Sequence, residues 1–329
     1  MKKIFAIAAA CVALASCVKN EVEFEGNYAQ GTRIDFQAVQ SVETPSRAAY
    51  TTYDHFMAAA FLLNEGQTWA GAHQDAQVYF QGQKVTNTAL GWTTSTAYYW
   101  PAKGNLTFYA YAPKTIQVTN REWNANKDYI FTGYSVETNK NIDFMVADIA
   151  REQTQNDVPA VFRHKLTKLS FGIAKSATDT REITLKSIKV KGVFSEGNYT
   201  MPYNTIHGSG SVVDYWTVAD GSCNEVFTIF DGSQEVTGTA ASIASSHLYM
   251  IPQEFTATSY LEVIYEVKAG SATETVTINK HLGDDIDTTD KQWLPNEHIT
   301  YNFTIGEVQQ IMWAPSEEAW KEESFSIAI

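Results

Sequence analysis

The sequence predicts an all-β chain of short antiparallel strands, arranged as sandwiches or barrels. Three observations predict it. Apolar residues recur with a period of two, turn residues interrupt them at short intervals, and long helical patterns are absent. The first strand reads over residues 32–39, where Ile34, Phe36 and Ala38 alternate with Asp35 and Gln37. Leu106, Phe108, Ala110 and Ala112 alternate with Thr107, Tyr109 and Tyr111, which predicts a half-buried strand. The same rule holds for Leu261, Val263, Tyr265 and Val267, for Val276 and Ile278, and for Ile299, Tyr301, Phe303 and Ile305. Turn signals such as NEGQ, AKGN, VKGVF, DGSQ and LGDD stand between these runs. One short helix is expected over PSEEAWKEE, with Ser316 as its cap.

The N-terminus reads as a processing signal. Lys2 and Lys3 precede an apolar stretch from Ile4 to Leu14, too short to span a bilayer. It ends in Leu14-Ala15-Ser16-Cys17, the pattern of a bacterial lipobox, in which the cysteine thiol is acylated. Residues 1–16 are then a lipoprotein signal peptide and 17–31 a polar tether, with several acyl chains at Cys17 holding the chain to the outer membrane. Cys11 leaves with the signal and Cys17 is consumed by lipid. Cys223 remains, and one thiol cannot make an intramolecular disulfide.

The remaining length suits two domains, each with its own core. The polar stretch REQTQNDV at 151–158 places the break, giving expected domains at 32–155 and 156–329. The net charge of −13, with no basic cluster, argues against a nucleic-acid partner.

Chemical motifs are sparse. HExxH, GxSxG and a phosphate-binding glycine loop are all missing, so the sequence points to no enzyme and to no cofactor. His164, in FRHKLTKLSF, reads as a structural histidine at a strand start. The loop 284–290 gathers Asp284, Asp285, Asp287 and Asp290, but lacks the glycine and the final glutamate of a calcium loop. It reads as a solvated turn, and no metal is expected. Trp92, Tyr98, Tyr99, Trp100, Tyr109 and Tyr111 cluster in one hairpin. They read first as core payload and second as a sugar-stacking platform.

That hairpin, YYWPAKGNLTFYAYAP, resembles the corresponding hairpin of the Bacteroidales fimbrillin (Mfa-like) lipoproteins, subunits of type V pili. FRHKLTKLSFGI, WLPNEHITYNFTIG and IMWAPSEEAW resemble later segments of the same family in the same order. The resemblance implies two tandem transthyretin-like Greek-key β-sandwich domains. It implies a stalk or tip pilin of a cell-surface fimbria serving adhesion, with other pilin subunits as partners and a host or bacterial surface ligand. It also implies trimming by a trypsin-like protease after an arginine in the loop that follows the first strand. Arg47, in SVETPSRAAY, holds that position; Arg33 opens the strand instead.

The residues fit what that mechanism demands. The strand with Ile34, Phe36 and Ala38 can leave, because one face of it is apolar. Pro45 and small residues around Arg47 suit an exposed loop. The last residues place Phe325, Ile327 and Ile329 on one face of an alternating tail, suited to act as a donor strand in a neighbouring subunit or to pair within its own chain. Removing 1–47 takes five acidic residues (Glu21, Glu23, Glu25, Asp35, Glu43) and five basic ones (Lys2, Lys3, Lys19, Arg33, Arg47), so the net charge stays at −13. The competing reading is a surface glycan-binding lipoprotein. For the lipid anchor, replacing Cys17 with alanine should abolish incorporation of labelled palmitate. Continued labelling of that variant would exclude Cys17 as the acceptor.

Overall fold

The computed structural model describes residues 29–40, 48–49, 52–204, 215–239, 241–243, 248–283, 292–306 and 311–319. In chain order the first strands are β1 (Ala29–Arg33), β2 (Phe36–Gln40), β3 (Ala48–Ala49), β4 (His55–Leu63), β5 (Gln77–Thr88), β6 (Gly91–Thr94), β7 (Tyr99–Pro101) and β8 (Asn105–Ala112). Next come β9 (Asn120–Trp123), β10 (Tyr129–Ser135), β11 (Met145–Ala147), β12 (Ala150–Gln153), β13 (Val158–His164) and β14 (Thr167–Lys175). They are followed by β15 (Glu182–Lys191), β16 (Glu196–Met201), β17 (Trp216–Val218), β18 (Val226–Glu235), β19 (Ala241–Ser242) and β20 (Leu248–Met250). The last are β21 (Gln253–Glu254), β22 (Tyr260–Ala269), β23 (Ala272–His281), β24 (Gln292–Trp293), β25 (Glu297–Ile305) and β26 (Ile311–Ala319). Among the described residues the helices are single turns, Trp69–Ala72 and Val136–Asn139, with a 3-10 turn at His73–Asp75. The chain is all-β.

One sheet organises the first half. Its strands run β11-β13-β2-β6-β5-β4-β8-β12, and β8 also pairs with β11, so the path returns on itself. Its inner face is a separate core that includes Phe36, Phe56, Phe108, Phe162 and Trp100. The outer face of β4 and β8 carries Met57, Phe61, Tyr109 and Tyr111, which belong to the larger core. The strand at 105–112 is therefore buried on both faces rather than half-buried. A second layer, ordered β17-β16-β10-β9, covers the face that alternation alone assigned to water.

This second layer joins distant parts of the chain. β16, from residues 196–201, pairs with β10 from residues 129–135. Likewise β13, which starts at the end of the polar stretch 151–158, pairs in parallel with β2. Two further sheets form the second half, β19-β14-β25-β26 with β20 on β14, and β18-β15-β22-β23. Between them lie Leu169, Phe171, Tyr301 and Phe303 from one sheet and Leu185, Val190, Leu261 and Tyr265 from the other. Here the period-two reading holds. Leu261, Val263, Tyr265 and Val267 are buried while the residues between them are half-buried.

The exposed face of this last sheet is laced by charge. Lys268 meets Glu182 at 2.7 Å and Lys186 meets Glu266 at 3.5 Å across neighbouring strands. Such exposed pairs contribute about 0.2–1 kcal/mol each. They set register more than stability, because a two-residue slip would bring Glu182 opposite Glu266. The VKGVF turn needs its glycine. Gly192 has φ +65, and a Cβ there would meet the Thr258 carbonyl oxygen at 1.8 Å.

Over residues 315–319 the expected helix is not formed, and residues 320–323, the rest of PSEEAWKEE, lie outside the described residues. Residues 311–319 form β26, paired antiparallel with β25 from Ile305↔Ile311 to Glu297↔Ala319. Helical propensity loses to a long ladder at an open edge, and Pro315 is tolerated because β26 is the outermost strand.

The β14–β15 turn is tied to the end of β25. Arg181 donates to the Asp179 carboxylate (2.6 Å) and to the Gly306 carbonyl (2.8 Å). These hydrogen bonds from Arg181 hold the Asp179 carboxyl at about 2, below its usual 3.8. A folded value below the unfolded one adds stability that is complete above about pH 4. It disappears as pH falls through 2. Asp179→Asn should therefore cost about 1–3 kcal/mol at pH 5. The gap from wild type should close near pH 2. Urea midpoints at the two pH values check this, and a gap that persists at low pH would refute it.

Candidate functional site

The first strand is the feature around which a site can be built. β2 lies inside the closed sheet, not on an edge. On one side it pairs in parallel with β13, from Phe36↔Val158 to Gln40↔Phe162. On the other it meets β6 at Phe36↔Trp92 and β3 at Val39↔Ala49. The Val158 N–H donates to the Asp35 carbonyl (2.9 Å) and the Ile34 N–H to the Tyr98 carbonyl (2.8 Å). Upstream, β1 pairs with β7 at Arg33↔Tyr99. The strand read from sequence as continuous over 32–39 is thus two strands, with a step at Ile34 and Asp35 that transfers the chain from β7 to β13.

Its side chains fill the inner core. Ile34 is 1 % exposed, Phe36 5 % and Ala38 7 %. The Phe36 ring makes edge-to-face contacts with Phe56 (5.5 Å) and Phe108 (5.8 Å). Phe56 in turn touches Phe162 at 5.1 Å. The third position is tight, because Ala38 pairs with the equally small Ala160. Removing β1 and β2 would open a slot with large sites at 34 and 36 and a small one at 38.

Arg33 donates from Nη2 to the Thr94 carbonyl (2.7 Å) within the paired strand. A protease would have to unpair β1 to reach it. Arg47 lies outside the described residues, between the end of β2 and the start of β3. Cys17, Phe325, Ile327, Ile329 and the acidic loop 284–290 also lie outside them. Trp313, toward which a longer C-terminal donor would reach back, sits in β26 opposite Phe303 and is paired within the chain.

The remaining sequence candidates are structural. Trp100 is buried and packs 5.8 Å from Phe108, while Trp92 is partly buried beside Phe56. His164 ends β13 rather than starting a strand; its Nδ1–H donates to Asp143 Oδ1 (2.9 Å), both side chains being buried. Sequence reading missed the next residue, Lys165. It is 2 % exposed, and burial pushes its ammonium down to about 7. A charged residue between two apolar runs carries no sequence signal of burial. Among the described residues, no three His, Cys, Asp or Glu side chains group as a metal site.

The fimbrillin-like family model matches residues 59–320, most of the chain. The chain belongs to the fimbrillin-like family. A fimbrial protein from Bacteroides vulgatus shares its fold with a TM-score of 0.62 and 18 % identity, over 88 % of this chain and 99 % of that one. A candidate cell adhesion protein from Bacteroides uniformis matches with a TM-score of 0.54 and 17 % identity, over 88 % and 98 %. Another from Bacteroides ovatus matches at 0.51 and 17 %, over 90 % and 100 %. No curated protein matches the chain. For this fimbrillin-like chain, the slot makes a direct prediction. Phe36→Ala should lower the stability of the uncut protein by about 3–5 kcal/mol. Gln37→Ala, on the exposed side, should stay within about 0.5 kcal/mol. Equal losses in a urea titration would contradict the slot geometry.

Proposed function

We propose that this chain is a structural subunit of a cell-surface fimbria serving adhesion. It is exported as a lipoprotein through Cys17, cut after Arg47 and joined to its neighbour by strand exchange. The observation that carries this reading is the place of the first strand. It is interior to a closed sheet, and it buries Ile34 and Phe36.

Losing β1 and β2 strips main-chain partners from β13, β6 and β7 and uncovers the Phe56 and Phe108 rings. Burial of Ile34 and Phe36 is worth about 1.5–3 kcal/mol each. The ladder bonds add to it, so the vacated slot strongly favours a replacement strand. The tail with Phe325, Ile327 and Ile329 has the required alternation. Its large residues match sites 34 and 36, whereas an isoleucine at site 38 would overpack against Ala160 at about 1–3 kcal/mol. The donor register that avoids this site is therefore preferred. Because β26 is paired in cis, the donor comes from residues beyond Ala319. A head-to-tail contact of this kind does not close and gives filaments.

The two-domain division at 155/156 belongs to this proposal as well, with the parallel β2–β13 pairing crossing it. Membership of a family of fimbrial subunits rather than enzymes accords with a role without catalysis. The decisive experiment treats the purified precursor with a trypsin-like protease. The expected outcome is one cut after Arg47, none at Arg33, then heat-sensitive ladders on a denaturing gel that vanish when residues 325–329 are deleted. Monomers alone after a clean cut would refute the strand-exchange reading.

A further inference from the structure

We propose that strand β23 pairs with β23 of a second copy of this chain, antiparallel and centred on Thr277, so that two subunits join side by side. β23 ends its sheet: among the described residues only β22 pairs with it. The ladder between them runs without a bulge from Tyr260↔His281 to Ala269↔Ala272. The other long edges of the second half are guarded. β18 shifts register against β15, and β26 carries Pro315. β23 has neither device and no glycine, and its threonine, valine and isoleucine suit an extended chain. Its outward row, which includes Thr273, Thr275, Thr277 and Asn279, is exposed. A regular edge of this length presents a row of main-chain donors and acceptors to another strand.

The inner row selects the occupant. Glu274 lies opposite the buried Val267 and Lys280 opposite the buried Leu261. Both charges therefore share the face on which Val276 and Ile278 meet the core. Inward-facing charges on an edge repel a foreign strand, which would set them against an apolar residue or a like charge. Here the two charges are opposite in sign and stand symmetrically about Thr277. A second copy, turned about an axis that runs through the Thr277 pair and perpendicular to the sheet, sets each Glu274 opposite a Lys280. In the same register Val276 meets Ile278 of the other copy, Thr275 meets Asn279, and Thr277 meets its own copy. Centring the pair on Val276 would instead put Glu274 opposite Ile278, and centring it on Ile278 would put Lys280 opposite Val276. Centring between residues would turn one copy's outward row onto the other's inner face. The charges thus exclude other strands and other registers while admitting this one. The net charge of −13 opposes self-association in general, so local complementarity decides it. A two-fold contact closes at two subunits. One strand from each side buries less than a standard interface of about 1,600 Å², so the dimer is weak in solution. In the filament of the proposed function it would repeat along the axis and hold neighbouring filaments together by multivalency.

The contact uses neither the first strand nor the tail, so it is tested on the uncut full chain, and failure of strand exchange would leave the result unaffected. Cys11→Ser, Cys17→Ser and Cys223→Ser are present throughout, which removes lipid and stray disulfides. Sedimentation velocity should show a monomer–dimer equilibrium with Kd about 1 mM or tighter. Glu274→Lys and Lys280→Glu should each weaken it about tenfold or more, because each change sets like charges opposite one another twice. Combining the two changes should restore the dimer, and urea midpoints check that every variant folds. A second arm leaves the charges alone. Thr277→Cys should give a disulfide-linked dimer on mild oxidation. Thr273→Cys should not, because the two copies of that position lie about 27 Å apart along the ladder. Monomers throughout at about 1 mM would overturn the proposal. A dimer indifferent to Glu274→Lys would overturn the edge. A combined variant that stays monomeric, or Thr277→Cys that fails to cross-link, would overturn the register. Species larger than a dimer would overturn the two-fold contact.

Discussion

Phe36 meets the rings of Phe56 and Phe108 edge to face, from a strand whose parallel partner lies more than a hundred residues further along the chain. The rest of the first half depends on that contact. Within this sheet β2 is held on both sides by main-chain bonds and on its inner face by the shared core. Withdrawing one strand exposes both kinds of surface together. The segment that makes this contact is also the one nearest the N-terminus of the described chain. Its only covalent link to the sheet that retains it is the connection 41–47.

The second constraint is burial of β4 and β8 on both faces. Their inner residues belong to the core that holds Phe36, and their outer residues to the core that continues into the second half. The two strands are therefore shared by both cores. Trp123 of β9 packs edge to face on Tyr109 of β8 at 4.8 Å, which seats the outer layer on the sheet.

Polar groups inside the protein are mostly spent on structure. His164 is matched to Asp143, and the Trp293 indole donates to the Tyr301 hydroxyl at 2.9 Å. Buried groups satisfied this way specify packing and leave little available for proton transfer.

Period-two alternation by itself determined the all-β class and correctly located the buried faces of β22 and β25, because one face of each is covered and the other half-exposed. It also identified Ile34, Phe36 and Ala38 as a buried face, since alternation records which side of a strand avoids water. It could not decide three things. β8 is buried twice, because a layer from a distant segment covers it. Residues 311–319 extend as a strand, because β25 offers an edge whose hydrogen bonds outweigh a weak helical preference. And the first strand is interior, not peripheral, because its parallel partner is set by chain topology. Local sequence carries the period and the turns. Which strands become neighbours is decided by long-range burial, and only the tertiary structure records it.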